Sequence, residues 1–136
     1  DQHAGATRDT AKAVSENLLN RFGREVNGIF ACNESSAAGM LLALRDAGLG
    51  QGKVKFVAFD SGETLNAGLM AGDVQGMVVQ NPMRMGYLGV KTMVAALRGE
   101  KVAPVIDTGV GFVTKANFNS PEMAEIVHPP LDQYLK

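Results

Sequence analysis

Apolar and polar residues alternate along this chain in a pattern that predicts strands separated by helices. Four apolar segments predict strands: 26–31, 54–59, 77–79 and, less regularly, 105–114. Apolar residues at helical spacing predict helices beside them: 7–22, 35–47, 61–72 and 82–98. Strands that alternate with helices predict an α/β fold built on a doubly wound, right-handed parallel sheet.

The first predicted element is a helix, and only about four strands are visible. A doubly wound domain normally begins with a strand and has about five or six of them. We therefore expect a sheet that is incomplete at the N-terminus. After the last predicted strand, the proline-bearing segment 117–136 predicts a short helix and an extended arm.

Three of the predicted strands end at a polar side chain. Asn33, Asp60 and Gln80 each stand at the point where an apolar run stops. In a parallel sheet the carboxyl ends of the strands line one edge, and ligands bind along that edge. We therefore expect these three side chains to form one site.

The chemistry of the three side chains suits the hydroxyl groups of a neutral sugar or polyol. An ionised Asp60 accepts hydrogen bonds at two oxygens, so it can take two neighbouring hydroxyls. Asn33 and Gln80 each offer a donor and an acceptor, and Phe59 can contact the C–H face of a ring. A phosphate site would call for glycine-rich backbone amides or cations instead.

Helix capping is the competing interpretation of the same residues. Asp60 and Glu63 have the spacing of a capping box, and Asn33 and Asn81 stand where asparagine is common in turns. Gln80 has no capping role. The equivalent placement of three polar residues favours a ligand site over three separate caps.

Composition narrows the possible functions. A net charge of −1 gives no basis for nucleic-acid binding, and no apolar run reaches the roughly 20 residues of a membrane span. Two distant histidines, one cysteine and no clustered carboxylates argue against a metal site, and no cofactor motif or catalytic arrangement is found. Cys32 is expected to be a buried structural thiol, since no base is placed for it. The methionines of 82–98 predict a core or interface face.

Several stretches of the chain resemble a known family. The order GIFACNESSAAGMLLALRDAGL, KVKFVAFD, AGDVQGMVVQNPMRMGYLGVKTMVAALRGE and IDTGVGFVTKANF resembles the C-terminal half of the type I periplasmic sugar-binding proteins. These are the ribose-binding-like solute receptors of ABC transporters. The resemblance runs from the helix at residue 7 to the tail at 129–131. Its most specific part is the succession of Asn33, then Phe59 and Asp60, then Gln80.

The resemblance implies two Rossmann-like lobes that hold a monosaccharide, a pentose by preference, and close by a hinge motion. The resemblance also implies that a membrane permease recognises the closed form. The implied contacts to the sugar come from the strand ends, with no catalysis and no cofactor: Asn33, Phe59, Asp60 and Gln80. The implied location is periplasmic or extracellular, and lipid anchoring of a full-length form stays open.

The resemblance also implies that the chain is the C-terminal part of a longer, two-lobed protein. Residues 1–81 would belong to the ligand-binding lobe, 82–114 would cross to the N-terminal lobe, and 115–136 would form the tail. Without that lobe the helix at 82–98 loses its cover. An isolated chain of this kind is expected to cover the helix by forming a homodimer.

Two rival functions stay open at this point. The effector-binding core of a LacI-like repressor shares the implied fold and often the strand-end residues, although the tail at 113–135 is more typical of transport receptors. A phospho-receiver domain, from a different class, would use Asp60. That chemistry needs a second acidic cluster for Mg²⁺ and a later lysine at a strand end, and neither is placed.

Overall fold

The computed structural model of the chain describes residues 3–23 and 25–133. Along the chain the elements are α1 (Arg8–Phe22), β1 (Gly28–Ala31), α2 (Glu34–Asp46), β2 (Lys55–Phe59), α3 (Glu63–Ala71), β3 (Gly76–Gln80), α4 (Pro82–Leu97), β4 (Val110–Val113), α5 (Pro121–Val127) and a 3-10 turn at Leu131–Gln133. Strands and helices alternate as the sequence predicts. The end of the predicted arm, residues 134–136, lies outside the described residues.

The sheet has the strand order β1-β2-β3-β4, and its first three strands are parallel. The expectation of a fully parallel sheet is wrong for β4, which runs antiparallel to β3 with Val110 opposite Gln80. The chain therefore re-enters the sheet at its carboxyl edge. No crossover returns it to the amino edge, because α4 leaves the sheet instead of packing back onto it. The strand is also shorter than predicted.

The core lies between the sheet and the helices α2 and α3. Its fully buried side chains are Leu41, Leu44, Phe56, Leu65, Leu69, Met77, Val74, Val79 and Val113. Leu65 and Leu69, four residues apart on α3, are on the buried face that the spacing predicts. The apolar area removed from water by such a cluster is the main source of folding free energy.

Helix α1 packs against α2 at close range. A Cβ atom added at Gly39 of α2 would lie 2.6 Å from the backbone nitrogen of Lys12, so only glycine permits this approach. Two ion pairs join the same helices at their surface, Arg8 with Glu34 and Lys12 with Asp46. Thr7 caps α1, because its side-chain oxygen accepts the Thr10 backbone N–H.

Helix α4 contrasts with the other long helices because none of its residues is buried. Its exposed apolar residues form what we call the α4 surface: Met85, Tyr87, Val90, Met93 and Leu97. Leu97 exposes 81% of its area. Of the two roles predicted for the methionines of this helix, the core role is wrong for this chain, and the interface role stays a prediction. Within the described ranges, no helix combines the length and apolar character needed to cross a membrane.

Candidate functional site

Asp60 and Gln80 meet at the carboxyl edge of the sheet. Gln80 Nε2 donates a hydrogen bond to Asp60 Oδ1 at 3.0 Å, although the residues are 20 positions apart. The neighbouring strands β2 and β3 bring their last residues side by side. The sequence-based prediction that these strand-end side chains share one edge is met by this pair.

The backbone of Asp60 is held in an unusual conformation. Its φ angle is +66°, in the left-handed region that non-glycine residues seldom occupy, and its N–H donates to the Val78 carbonyl at 2.7 Å. Such conformations persist where the surrounding structure enforces them, and they cluster at functional sites. The turn directs the carboxylate toward Gln80.

The capping interpretation of Asp60 is wrong. Helix α3 begins after Gly62, and no side chain caps it. Asp60 Oδ1 is engaged by Gln80, and Oδ2 has no hydrogen-bond partner among residues 3–23 and 25–133. A half-buried carboxylate with one oxygen unengaged is available to a ligand.

Asn33, in contrast, is a helix cap as well as a strand-end residue. Its Oδ1 accepts the backbone N–H of Ser36 at 2.9 Å, which caps α2. Asn81 caps α4 in the same way, with Arg84 as the donor at 2.9 Å. The capping interpretation is therefore right for both asparagines. For Asn33 it leaves the side-chain Nδ2 unengaged in the described structure.

The strand register brings Asn33 toward Asp60. Ala31 of β1 pairs with Ala58 of β2, and each polar residue lies two positions further along its strand direction. Phe59, the last residue of β2, is half-buried and pairs with Val78. We call Asn33, Asp60 and Gln80 the carboxyl-edge cluster. Asn33 is exposed, whereas the other two are half-buried.

A second polar cluster lies at the opposite, amino edge of the sheet, and sequence reasoning missed it. We call Arg45, Gln51 and Asp73 the amino-edge cluster. Asp73 exposes only 6% of its area, and its Oδ2 accepts a hydrogen bond from Arg45 Nε at 2.8 Å and forms an ion pair with Arg45 Nη2 at 2.8 Å. Its Oδ1 accepts the Gln51 N–H at 2.7 Å. Separations of 22 and 28 residues give no local signal for these contacts.

The charge state of Asp73 follows from these contacts. Burial disfavours the charged carboxylate, but the Gln51 N–H and the Arg45 guanidinium outweigh that effect and hold the pKa of Asp73 below its ordinary value of 3.8. Each carboxylate oxygen already has a partner within the chain. These contacts stabilise the fold and leave neither oxygen of Asp73 without a partner.

Two further predictions concern reactive and metal-binding groups. Cys32 is exposed, so its assignment as a buried structural thiol is wrong. It ends up exposed because β1 stops at Ala31, and Cys32 lies in the bend that leads into α2. Throughout the part of the chain that the structure describes, no group of three or more His, Cys, Asp or Glu residues could hold a metal ion.

Comparison with known proteins assigns the family. The family model of the periplasmic binding protein domain matches residues 1–101, about three quarters of the chain. The chain belongs to the periplasmic binding protein family. The α/β sheet flanked by helices is the architecture expected for this family, and the resemblance seen in the sequence is confirmed.

Curated relatives of this periplasmic binding protein domain carry sugar-related names. The chain is 33% identical over 114 residues to a ribose import binding protein of Haemophilus influenzae, covering 84% of this chain and 38% of that protein. It is 34% identical over 104 residues to a D-allose-binding periplasmic protein of Escherichia coli, covering 76% of this chain and 33% of that protein. The chain thus spans only 38% and 33% of the length of these two relatives.

A solved structure extends the comparison to the fold. An ABC transporter solute-binding protein of Agrobacterium vitis with bound D-fucose aligns with a TM-score of 0.87 and 34% identity. The alignment covers 93% of this chain and 43% of the other. Relatives of this periplasmic binding protein domain are therefore sugar-binding proteins of ABC transporters.

Proposed function

We propose that this chain forms one wall of a monosaccharide site in the two-lobed, solute-binding component of an ABC sugar importer. The carboxyl-edge cluster supplies the polar contacts, and Phe59 supplies an apolar one. Asp60 is the principal acceptor of ligand hydroxyls. The role is binding without catalysis, and a pentose is the ligand that we expect first.

One observation carries this proposal: Asp60 is oriented by Gln80 but does not cap α3. A carboxylate that is held in place and keeps an oxygen unengaged is suited to accept a hydroxyl group. Hydrogen bonds to a charged group contribute about 1.5–3 kcal/mol, so a contact from a sugar hydroxyl to Asp60 would add substantially to the binding free energy. Capping, the main alternative explanation of an aspartate at this position, does not apply.

The names of the relatives support the ligand class. Ribose, allose and fucose are all uncharged monosaccharides, as expected for a site built from a carboxylate and two amides. Ribose is a pentose, which is why we place pentoses first. The same names support an ABC permease as the partner and a periplasmic or extracellular location.

The α4 surface supports a second part of the proposal, the missing lobe. In a full-length protein, residues 1–81 belong to the ligand-binding lobe, 82–114 cross to the N-terminal lobe and 115–136 form the tail. Five large apolar side chains are exposed on this one helix, with Tyr87 at 65% and Leu97 at 81%, which fits a face that is buried in the complete protein.

Calorimetric titration of the full-length protein with pentoses, hexoses and polyols tests the ligand proposal. One sugar should bind tightly, and Asp60→Ala should weaken that sugar by roughly 2 kcal/mol, about thirtyfold. Glu63→Ala is the matched control, because Glu63 is an exposed acidic residue three positions away at the start of α3. Equal affinity of the wild type and Asp60→Ala would remove Asp60 from the site.

Sedimentation of the isolated chain tests the proposal about α4. We expect the chain alone to form a homodimer through the α4 surface, because exposed apolar faces of this kind associate. Replacing Val90 and Met93 with lysine should give a monomer. A wild-type chain that is monomeric at micromolar concentration would argue against an uncovered interface.

A further inference from the structure

The side-chain oxygen of Asn33 is the most heavily hydrogen-bonded atom of the carboxyl-edge cluster. It accepts the Ser36 backbone N–H at 2.9 Å, the Ser36 hydroxyl at 2.7 Å and, at a longer 3.2 Å, the Ser35 hydroxyl. All three donors belong to the first turn of α2.

These contacts fix which end of the Asn33 amide faces the ligand. A backbone N–H can only donate, so the atom that faces Ser36 must be Oδ1 and not Nδ2. An amide oxygen has two lone pairs, and the two shortest contacts, both from Ser36, fill them, which leaves the Ser35 hydroxyl at 3.2 Å as a weaker third contact. The side chain keeps only the two N–H donors of Nδ2 for any other partner.

Capping alone does not require the hydroxyl contact. Asn81 caps α4 through the same backbone bond, from Arg84, and no hydroxyl follows it in that turn. The Ser36 hydroxyl also lies 3.2 Å from the Asn33 carbonyl, but its single proton has a closer acceptor in Oδ1 at 2.7 Å. The second contact to Oδ1 is thus an addition to the cap.

We propose that Ser36 is a positioning residue that makes Asn33 a donor-only contact to the sugar, an inference that rests on the proposed function. The Ser36 backbone N–H sets which end of the amide faces the ligand. The Ser36 hydroxyl adds a second bond that holds this orientation and fills the remaining lone pair of Oδ1, so Asn33 cannot accept a ligand proton. A sugar hydroxyl at this position must then act as an acceptor. The hydroxyl at Asp60 must act as a donor, since a carboxylate only accepts.

Variants of the full-length protein test this inference. D-ribose, D-allose and D-fucose serve as probes, and the sugar that binds is titrated into Ser36→Ala, Ser36→Thr and Asn33→Ala. Ser36→Ala should weaken binding about fivefold, the effect of one neutral hydrogen bond. Ser36→Thr keeps the hydroxyl and should bind within about twofold of the wild type.

Thr10→Ala is the matched control. Thr10 occupies the same position in the first turn of α1, and its hydroxyl bonds the capping Thr7, but neither residue belongs to the cluster. This variant loses a hydroxyl at a helix start and should keep wild-type affinity. An equal loss of affinity in Thr10→Ala and Ser36→Ala would overturn the positioning role.

Deoxy and deoxyfluoro analogues of the bound sugar read the direction of the hydrogen bond. Fluorine can accept weakly but cannot donate. The sugar hydroxyl that contacts Asn33 is the one whose removal weakens binding to wild type but does not weaken binding to Asn33→Ala any further. At that position, the fluoro analogue should bind wild type better than the deoxy analogue. That difference should shrink in Ser36→Ala, which a purely structural role would not cause.

The outcomes separate this inference from the proposed function. If wild type binds and Asp60→Ala weakens it, while Ser36→Ala or Asn33→Ala has no effect, the inference is wrong and the proposed function stands. If full-length wild type binds none of the three sugars or a wider panel, the proposed function is wrong and the inference falls with it.

Discussion

Two polar clusters, each built around an aspartate, occupy opposite edges of the same sheet. At the amino edge, Asp73 uses both oxygens for partners inside the chain, Arg45 and Gln51. At the carboxyl edge, Asp60 uses one oxygen for Gln80 and keeps the other unengaged in the described structure. Each cluster even contains one residue with positive φ, Gln51 at +55° and Asp60 at +66°.

The clusters differ in how many of their side-chain hydrogen-bonding atoms lack a partner within the described residues. A buried polar group must find partners, and Asp73 finds all of them within the fold. The carboxyl-edge cluster leaves Asp60 Oδ2 and Asn33 Nδ2 without partners in the described residues. A positive φ occurs at both edges and does not distinguish the clusters, whereas the unfilled hydrogen-bonding positions do.

The largest expected effect separates the clusters by stability. Asp73→Ala should lower the free energy of unfolding by about 2–3 kcal/mol, because it removes charge-assisted bonds to Arg45 and Gln51. Asp60→Asn should change it by less than about 1 kcal/mol, since that carboxylate has one internal partner. Urea denaturation measures both. A larger loss for Asp60→Asn would mean that the carboxyl-edge cluster is also structural.

Backbone strain should be the same at both edges. Alanine in the left-handed region costs about 1–2 kcal/mol that glycine avoids, part of which glycine loses again in the unfolded chain. Asp60→Gly should therefore be more stable than Asp60→Ala by about 1 kcal/mol, and Gln51→Gly should exceed Gln51→Ala similarly. Only the Asp60 variants should lose sugar affinity in the full-length protein. Loss of affinity in the Gln51 variants would break the division of roles.

Protonating Asp73 at low pH should lower the free energy of unfolding, but by less than the substitution Asp73→Ala does. The pKa of Asp73 is lowered in the folded state, chiefly by the Gln51 N–H and Arg45 acting against burial. Its contribution to stability is therefore present above pH 3.8 and is lost as the pH falls through the folded-state pKa. Asp73→Asn should show a shallower loss of stability below pH 3.8 than wild type. Identical acid profiles would contradict the role given to this carboxylate.

The smallest expected effect is on the reaction rate of the exposed Cys32 thiol, which reports on the site without a change in stability or sugar affinity. Cys32 precedes Asn33 at the carboxyl edge, so bound sugar should slow its reaction with a maleimide in the full-length protein. A cysteine placed at Gln51 in a Cys32→Ser background reports on the amino edge, where the sugar should have no effect. Equal protection of both thiols would indicate a general closure rather than a local site.

Local patterns in the sequence determined the helices, the first three strands and the polar residue at each strand end. These features depend on neighbouring residues, so they can be recognised without knowledge of the fold. They include the apolar spacing, the cap at Thr7 and the glycine that ends α3 at Gly72. The parallel arrangement of β1, β2 and β3 followed from the same alternation. The prediction that Asp60 and Gln80 share an edge followed from it too.

Only the tertiary structure decided features that depend on distant partners. The direction of β4 depends on where α4 goes, and the pairing of Asp73 with Arg45 joins residues 28 positions apart. The spacing of Asp60 and Glu63 suggested a cap, but the positive φ of Asp60 and the start of α3 after Gly62 exclude it. Short-range periodicity determines secondary structure, whereas burial and hydrogen-bond partners are set by contacts that no local pattern contains.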